Sequence, residues 1–158
     1  MKRKLLAGIM IMVCLIANIP AGAASFSKAK AGIKYGGAVY RVGQTSTKWK
    51  SKLGKYSRKL VETNGSIISY SYTFKGKGIK VSTLYSTKYK KEKIVSILMV
   101  GKAVPTNSGL RVGNSGSKVV SLYGKSYTKK GNLYTYKAGG RRLIVKAIGN
   151  RVYGIKIT

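Results

Sequence analysis

Apolar and polar residues alternate along several short segments of this chain. Ile68, Tyr70, Tyr72 and Phe74 alternate with two serines and a threonine, a period of two that is typical of a β-strand with one buried face. Similar patterns predict strands over residues 79–85, 94–100, 133–137, 142–148 and 151–158, with 38–42 and 110–112 as further short strands. Gly-Gly at 139–140 and Gly-Asn at 149–150 predict tight hairpin turns between the last strands.

Two short stretches show a helical period instead. Trp49 and Leu53 are four residues apart, after Thr45 or Ser46 as an N-cap and before Gly54 as a helix end. The second stretch has the same arrangement in Ser115, Val119, Tyr123 and Gly124. Helices of about two turns are unstable alone, so we expect their apolar faces to pack on the strands.

The chain also contains an internal similarity. Residues 41–55 align without a gap on residues 111–125, with seven identities in fifteen positions. Two copies of one unit are the simplest explanation. We therefore predict an α+β fold built from two tandem β-α-β-β-β repeats, with short helices packed on antiparallel sheet. The predicted repeats span residues 34–101 and 110–158, with a connector at 102–109 and a flexible lead-in at 24–33.

The first residues predict export. A basic segment at 2–4, an apolar run at 5–19 and Ala-Gly-Ala at 21–23 are typical of a secretory signal peptide over residues 1–23. An uncleaved membrane anchor is the alternative, although the run is shorter than the roughly 20 residues that a spanning helix needs. A lipid anchor on Cys14, the single cysteine, is disfavoured because that residue lies inside the apolar run. We expect a secreted protein associated with the cell envelope.

Composition restricts the chemistry. The chain has 32 Lys and Arg against 2 Asp and Glu and no His, a formal charge of +30. A Ser-His-Asp or Cys-His site lacks its components, and a carboxylate pair would require Glu62 and Glu92 to meet. We expect Glu92 to be a solvated turn charge and Glu62 to pair with Arg58 or Lys59. The prediction is a protein that is not an enzyme, with no catalytic residues, cofactor or metal site.

The missing counter-charge points to a polyanionic partner, because so many cations have few intramolecular partners and create a strongly positive surface. Outside the cell the candidates are an anionic cell-wall polymer such as teichoic acid, or an anionic lipid surface, with nucleic acid bound only nonspecifically. We expect a noncatalytic binding module; the alternative is an inhibitor or assembly partner that holds another secreted protein on its sheet face. The candidate polyanion-binding residues are Lys48, Lys50, Lys52, Lys55, Lys118, Lys125, Arg141 and Arg142.

Tyrosines could add stacking on sugars or bases. Tyr70, Tyr72, Tyr134 and Tyr136 fall on strand faces predicted to be buried, so core packing is the favoured interpretation for them. The better candidates for exposure are Tyr85, Tyr89 and Tyr127.

A family resemblance rests on these same patterns. Val-Gly followed by a polar residue, a short helix closed by Gly-Lys, strands with Tyr-x-Tyr and a last strand ending in Val-x-x-Ile-x-Ile resemble the repeat of the BLIP-like superfamily. That group includes tandem β-lactamase inhibitor proteins and BamE/SmpA assembly lipoproteins, and the chain is more similar to two-repeat envelope proteins of Gram-positive bacteria. The resemblance covers nearly all of residues 35–158 and implies binding through a sheet surface. It transfers no individual functional residue.

Overall fold

The computed structural model describes residues 25–45 and 47–158, so the predicted signal peptide, Cys14 and Ser46 lie outside the described residues. The described residues form two α-helices, α1 (Lys48–Leu53) and α2 (Gly116–Tyr123), together with 3₁₀ turns at Lys28–Lys30 and Lys75–Lys77. The strands are β1 (Gly32–Tyr35), β2 (Ala38–Arg41), β3 (Ser57–Asn64), β4 (Ile67–Phe74), β5 (Ile79–Ser86), β6 (Lys91–Met99), β7 (Thr128–Lys130), β8 (Leu133–Ala138), β9 (Arg141–Ile148) and β10 (Arg151–Ile157).

Eight strands form one antiparallel sheet in the order β3-β4-β5-β6-β10-β9-β8-β7. The four strands after α1 and the four after α2 therefore run outward in opposite directions from a central seam. At that seam Met99, Leu98 and Ile97 pair with Ile155, Lys156 and Ile157. Strands β1 and β2 form a separate two-stranded sheet.

The predicted α+β class, with two tandem β-α-β-β-β repeats, is wrong. The structure is mostly β, with helices of only 6 and 8 residues beside an eight-stranded sheet. Each helix is followed by four strands rather than the predicted three. The additional strands are β3 and β7, which the sequence analysis did not predict. The segments predicted as strands before the helices also stand outside the large sheet. Within the described residues β2 pairs only with β1, and residues 110–112 form no strand.

Both helices pack on one face of the large sheet. Trp49 of α1 is buried, with its ring centroid 5.1 Å from that of Tyr72 and 5.9 Å from that of Phe74. Tyr123 of α2 has its ring centroid 5.7 Å from that of Tyr136. The predicted helix ends at Gly54 and Gly124 are confirmed. Edge-to-face aromatic contacts of this kind fix the position of each short helix on the sheet.

The two helix starts differ in their capping. Ser115 caps α2 as predicted, because its side chain accepts a hydrogen bond from Lys118 N. The N-cap of α1 is Thr47, which follows the predicted candidates Thr45 and Ser46, and among the described residues its side chain makes no capping hydrogen bond. The first helix therefore depends more heavily on its tertiary contacts.

The loop that leads into each helix is attached to the sheet in the same way. Gly43 N donates to Ile94 O at 2.7 Å, and Ile94 N donates to Gln44 O at 3.0 Å. In the second loop, Gly113 N donates to Val152 O at 2.7 Å and Val152 N donates to Asn114 O at 2.8 Å. Gly43 and Gly113 have φ of +91° and +93°, a conformation that glycine adopts without strain.

Two segments expected to be loose are packed into the molecule. In the predicted lead-in, Ala31 is fully buried and the ring of Phe26 lies 6.0 Å from that of Tyr123. In the predicted connector, Val104 and Thr106 are buried, and Thr106 shares a hydrogen bond of 2.7 Å with the Tyr123 hydroxyl. These segments cover the helix-bearing face of the sheet and leave its other face to solvent.

Candidate functional site

A single ion pair occurs within residues 25–45 and 47–158. Lys50 Nζ lies 2.5 Å from Glu92 Oε2, and the Thr83 hydroxyl donates to Glu92 Oε1 at 2.6 Å. The Lys50 ammonium also lies 4.6 Å from the ring centroid of Tyr72. The prediction that Glu92 is a solvated turn charge is wrong, since its side chain is only 8% exposed and faces α1 from β6.

The surroundings of this pair keep both groups charged. Burial opposes the ionised carboxylate of Glu92, but hydrogen bonds from Lys50, Thr83 and Tyr72 hold its pKa below the usual value. Burial likewise opposes the Lys50 ammonium, and hydrogen bonding and attraction to Glu92 outweigh that effect and raise the pKa of Lys50. Lys50, a predicted polyanion-binding residue, is therefore already engaged by a carboxylate.

Glu62 has a different environment. It lies exposed on the edge strand β3, and in the described part of the chain no Arg or Lys nitrogen approaches its carboxylate within 4.0 Å. The expected ion pair with Arg58 or Lys59 is therefore not formed. A bulge at Val61 turns Glu62 to the face opposite Arg58, and on its own face Glu62 lies two register positions from Lys59 without an ion-pair contact. Glu62 therefore neutralises none of the neighbouring cations by direct contact.

The predicted lysines near the helices form two groups rather than one. Lys48, Lys52 and Lys55 are exposed on or just after α1, which packs on β4. Lys118 and Lys125 are exposed on or just after α2, which packs on β8. Five strand spacings separate β4 from β8, which is about 24 Å at 4.8 Å per strand. No single compact ligand spans both groups.

Arg141 and Arg142 point to opposite faces of the sheet, because neighbouring residues of a strand alternate in direction. Arg141 points to the helix-bearing side, where its guanidinium lies against Gly43 and its Nε is buried without a hydrogen-bond partner among the described residues. Arg142 is exposed on the opposite side, where it pairs across the strands with Lys137. Of the two, Arg142 is exposed and Arg141 is half-buried, and both line a shallow cavity at the hairpin turn.

The side of the large sheet that carries no helix is named here the open face. One row of its residues crosses all eight strands: Ser57, Thr73, Lys80, Leu98, Lys156, Ile144, Thr135 and Thr128. Its basic residues, all exposed, are Lys59, Lys80, Lys91, Lys93, Lys130, Lys137, Arg142, Lys146, Arg151 and Lys156. Glu62 is the acidic residue of this face.

Sequence reasoning missed every basic residue of the open face except Arg142. The signal was available in the alternation that predicted the strands: Lys80 precedes Val81, Lys146 lies between Val145 and Ala147, and Lys156 lies between Ile155 and Ile157. Each lysine occupies the polar phase of a strand whose apolar phase is buried. The polar positions of all these strands face the same side of the sheet, so their lysines lie together on one surface.

Like charges meet directly on this surface. Lys137 on β8 and Arg142 on β9 are register partners, so their Cβ atoms are about 5 Å apart. Directly opposed cations destabilise a sheet unless an anion lies between them. The hairpin Lys137–Arg142 is thus a place where bound phosphate or carboxylate would relieve repulsion.

The tyrosines mainly serve packing. Tyr72 and Tyr136 are buried as predicted, and Tyr70 and Tyr134 pack at the margin of the core. Burial, followed by repulsion from neighbouring tyrosines, raises the pKa of Tyr136 to about 12.

Of the three tyrosines expected to be exposed, one is exposed and two are partly buried. Tyr89 is exposed as predicted, at the turn between β5 and β6. Tyr127 is partly buried instead, with its ring centroid 5.0 Å from that of Tyr134, and Tyr85 is also half-buried. These three tyrosines therefore do not form a row of exposed rings on which sugars or bases could stack.

No protein-family model, curated protein or solved structure matches the chain. These comparisons give no support to the resemblance to the BLIP-like and BamE/SmpA proteins, which stays a prediction. Among the described residues, no helix has the length and apolar character needed to cross a membrane.

Proposed function

We propose that this protein is a secreted, noncatalytic module that binds anionic polymers of the cell envelope, such as teichoic acid. The observation that carries the proposal is the single ion pair in the described residues of a chain with 32 basic and 2 acidic side chains. Exposed cations cover both sides of the sheet, and the exposed carboxylate of Glu62 forms no ion pair with the cations of the described residues. Such a surface attracts polyanions and repels other copies of itself.

The distribution of charge favours an extended ligand. The basic residues are spread over a sheet about 34 Å wide, from seven strand spacings, and over two helix regions on its other side. Most are lysines, which pair with phosphate as point charges and do not require the fixed bidentate geometry of arginine. A flexible polymer with repeated anionic groups can contact many of them in succession.

The first test is retention of the purified protein on isolated Gram-positive cell walls across a sodium chloride gradient, with and without extraction of teichoic acid. We expect strong retention at low salt, steep release as salt rises and loss of retention after extraction. Retention that ignores both treatments, or no retention at all, would contradict the proposal and would favour a protein partner held on the sheet face.

Two triple variants locate the binding surface with equal changes of charge. Lys80, Lys146 and Lys156 are changed to Gln on the open face, and Lys52, Lys55 and Lys118 are changed to Gln on the helix-bearing side. We expect both triple variants to elute at lower salt than the parent protein. A variant that elutes with the parent excludes its side of the sheet, and parental elution of both overturns the proposal.

A further inference from the structure

The open face combines its charges with exposed apolar side chains. A shallow groove crosses its centre, lined by Leu98, Val100, Leu133, Ile144, Tyr153 and Gly154. Gly154 of β10 has no side chain, so a trough remains between the side chains of β6 and β9. A bulge in β10 exposes the neighbouring Tyr153. Leu84 and Ile148 are further exposed apolar residues of this face. Apolar exposure concentrated on one face of a sheet marks an interaction surface.

Lysines border this groove. Lys146 and Lys156 belong to its lining, and Lys80 pairs directly with Leu98 across the strands. A lysine beside an apolar surface can lay its methylene chain along that surface and extend its ammonium to an anion. The arrangement therefore places an apolar groove beside three lysines on a broad surface.

The chemistry of this face selects among its possible occupants. A soluble polyanion would neutralise the lysines but leave Leu98, Val100 and Tyr153 in water. A second copy of the chain would bring two strongly positive surfaces together. An anionic bilayer matches both parts, since its headgroups carry negative charge at the surface and its acyl boundary lies just beneath.

We propose that the open face docks on an anionic lipid surface, with Leu98, Val100 and Tyr153 at the acyl boundary and Lys80, Lys146 and Lys156 at the headgroup phosphates. This inference rests on the proposed polyanion binding for its electrostatic part. It adds an apolar contribution that a soluble polymer cannot provide. The molecule then binds at the interface as a peripheral protein, lying with its sheet parallel to the bilayer.

The test compares vesicles with a soluble polymer at one salt concentration. Purified protein is sedimented with vesicles of phosphatidylcholine alone, or with vesicles of phosphatidylglycerol and phosphatidylcholine at a ratio of about 3:7. The second mixture contains about one-third anionic lipid and has a negative surface potential. In parallel the protein is titrated with inorganic polyphosphate. We expect binding to the anionic vesicles and to polyphosphate, and none to phosphatidylcholine alone.

The chain offers a matched pair of variants. Leu98→Ser with Val100→Ser removes apolar surface from the open face at unchanged charge. Leu60→Ser with Val61→Ser removes the same two residue types from the exposed edge strand β3, away from the groove. The first variant should lose about tenfold in vesicle affinity, from the apolar area removed, and keep its polyphosphate affinity. The second should bind both ligands as the parent does.

Several outcomes separate the two proposals. Polyphosphate binding without vesicle binding, or vesicle binding unaffected by Leu98→Ser with Val100→Ser, overturns lipid docking and leaves the polymer-binding proposal standing. Absence of binding to both ligands overturns both. Tyr153→Ser is a second variant at an exposed position, with the same expected loss on vesicles alone. Thermal unfolding of each variant identifies any loss of affinity that comes from misfolding.

Discussion

Lys50 and Glu92 join helix α1 to strand β6 through a contact of 2.5 Å between Nζ and Oε2. The contact matters because α1 has only 6 residues and no side-chain N-cap. Glu92 also accepts a hydrogen bond from the buried Thr83, so loss of its charge affects both neighbours. In a chain with 2 acidic residues, one of them is thus used for folding rather than for surface neutralisation.

Stability should depend on pH through Glu92. Its pKa in the folded protein is lowered from the usual 4.5, so its contribution is present above about pH 4.5 and is lost as pH falls through the lower folded value. We expect Glu92→Gln to lower the free energy of unfolding at pH 7 by about 1 to 2 kcal/mol, since Lys50 is partly in solvent. Urea unfolding at pH 7 and at pH 2.5 measures both effects. The variant should show little of the acid destabilisation seen in the parent.

Glu62→Gln is the control for this measurement. Glu62 is exposed and unpaired by any cation of the described chain, so its variant should keep the acid destabilisation of the parent. Equal acid sensitivity in the parent and in Glu92→Gln would show that the ion pair does not stabilise the fold.

Trp49 should be the most costly side chain to truncate in α1. It is 1% exposed and contacts the rings of both Tyr72 and Phe74. We expect Trp49→Ala to lower the free energy of unfolding by about 3 to 5 kcal/mol in a denaturant titration. Tyr89→Ala, at an exposed turn, should change it by less than about 0.5 kcal/mol. Similar values for the two variants would mean that α1 does not pack on the sheet.

Substitution by alanine should destabilise the protein at one of two nearby glycines and have little effect at the other. At Gly101 a Cβ atom would lie against the carbonyl oxygen of Lys77 and 2.9 Å from Gly78 Cα, so backbone has to move. At Gly76 the corresponding position is open, with no atom within 4 Å. We expect Gly101→Ala to lower the thermal midpoint by several degrees, from about 1 to 3 kcal/mol of overpacking, and Gly76→Ala to leave it nearly unchanged. A reversed order would contradict the close approach of these turns.

The opposed cations Lys137 and Arg142 predict a conflict between stability and binding. Lys137→Gln removes direct repulsion between β8 and β9, so we expect a gain of about 0.2 to 1 kcal/mol in unfolding free energy. The same change should lower the salt concentration that elutes the protein from cell walls. Lys146→Gln is the control, because Leu133 and Gly154 are its register partners. It should lower elution salt without raising stability, and equal stability of the two variants would refute the repulsion.

The sequence predicted the inner strands well and the edges not at all. Strands β4, β5 and β9 have one buried phase, so apolar alternation reveals them. All eight residues of β3 are exposed, and β7 is Thr-Lys-Lys, so neither has an apolar period. Edge strands carry charge and bulges because these discourage pairing with other chains, which also removes the sequence signal. Omission of these two strands, together with the strands wrongly assigned to the large sheet before each helix, led to the wrong repeat unit.

The positive charge of the candidate surface was predictable from the sequence, but the residues that form the surface were not. Charge counting indicated polyanion binding, and proximity in the sequence favoured residues around the helices. Lys50 fell in that group although it pairs with Glu92, which is 42 residues away in the chain. Arg141 and Arg142 were expected together on a hairpin, whereas the strand directs them to opposite sides. Which face of a sheet a lysine occupies depends on strand pairing, and that information is not local.

The central seam has a consequence for how the molecule folds. Every other neighbouring pair in the large sheet joins strands that follow one another in the chain, and these hairpins need only short loops to close. The pairing of β6 with β10 is the exception: it joins distant segments through three register pairs. Loop-closure entropy makes such a contact slow to form. We therefore expect two hairpin arrays to form early and independently, with their meeting at Met99 and Ile155 as the late, rate-limiting event.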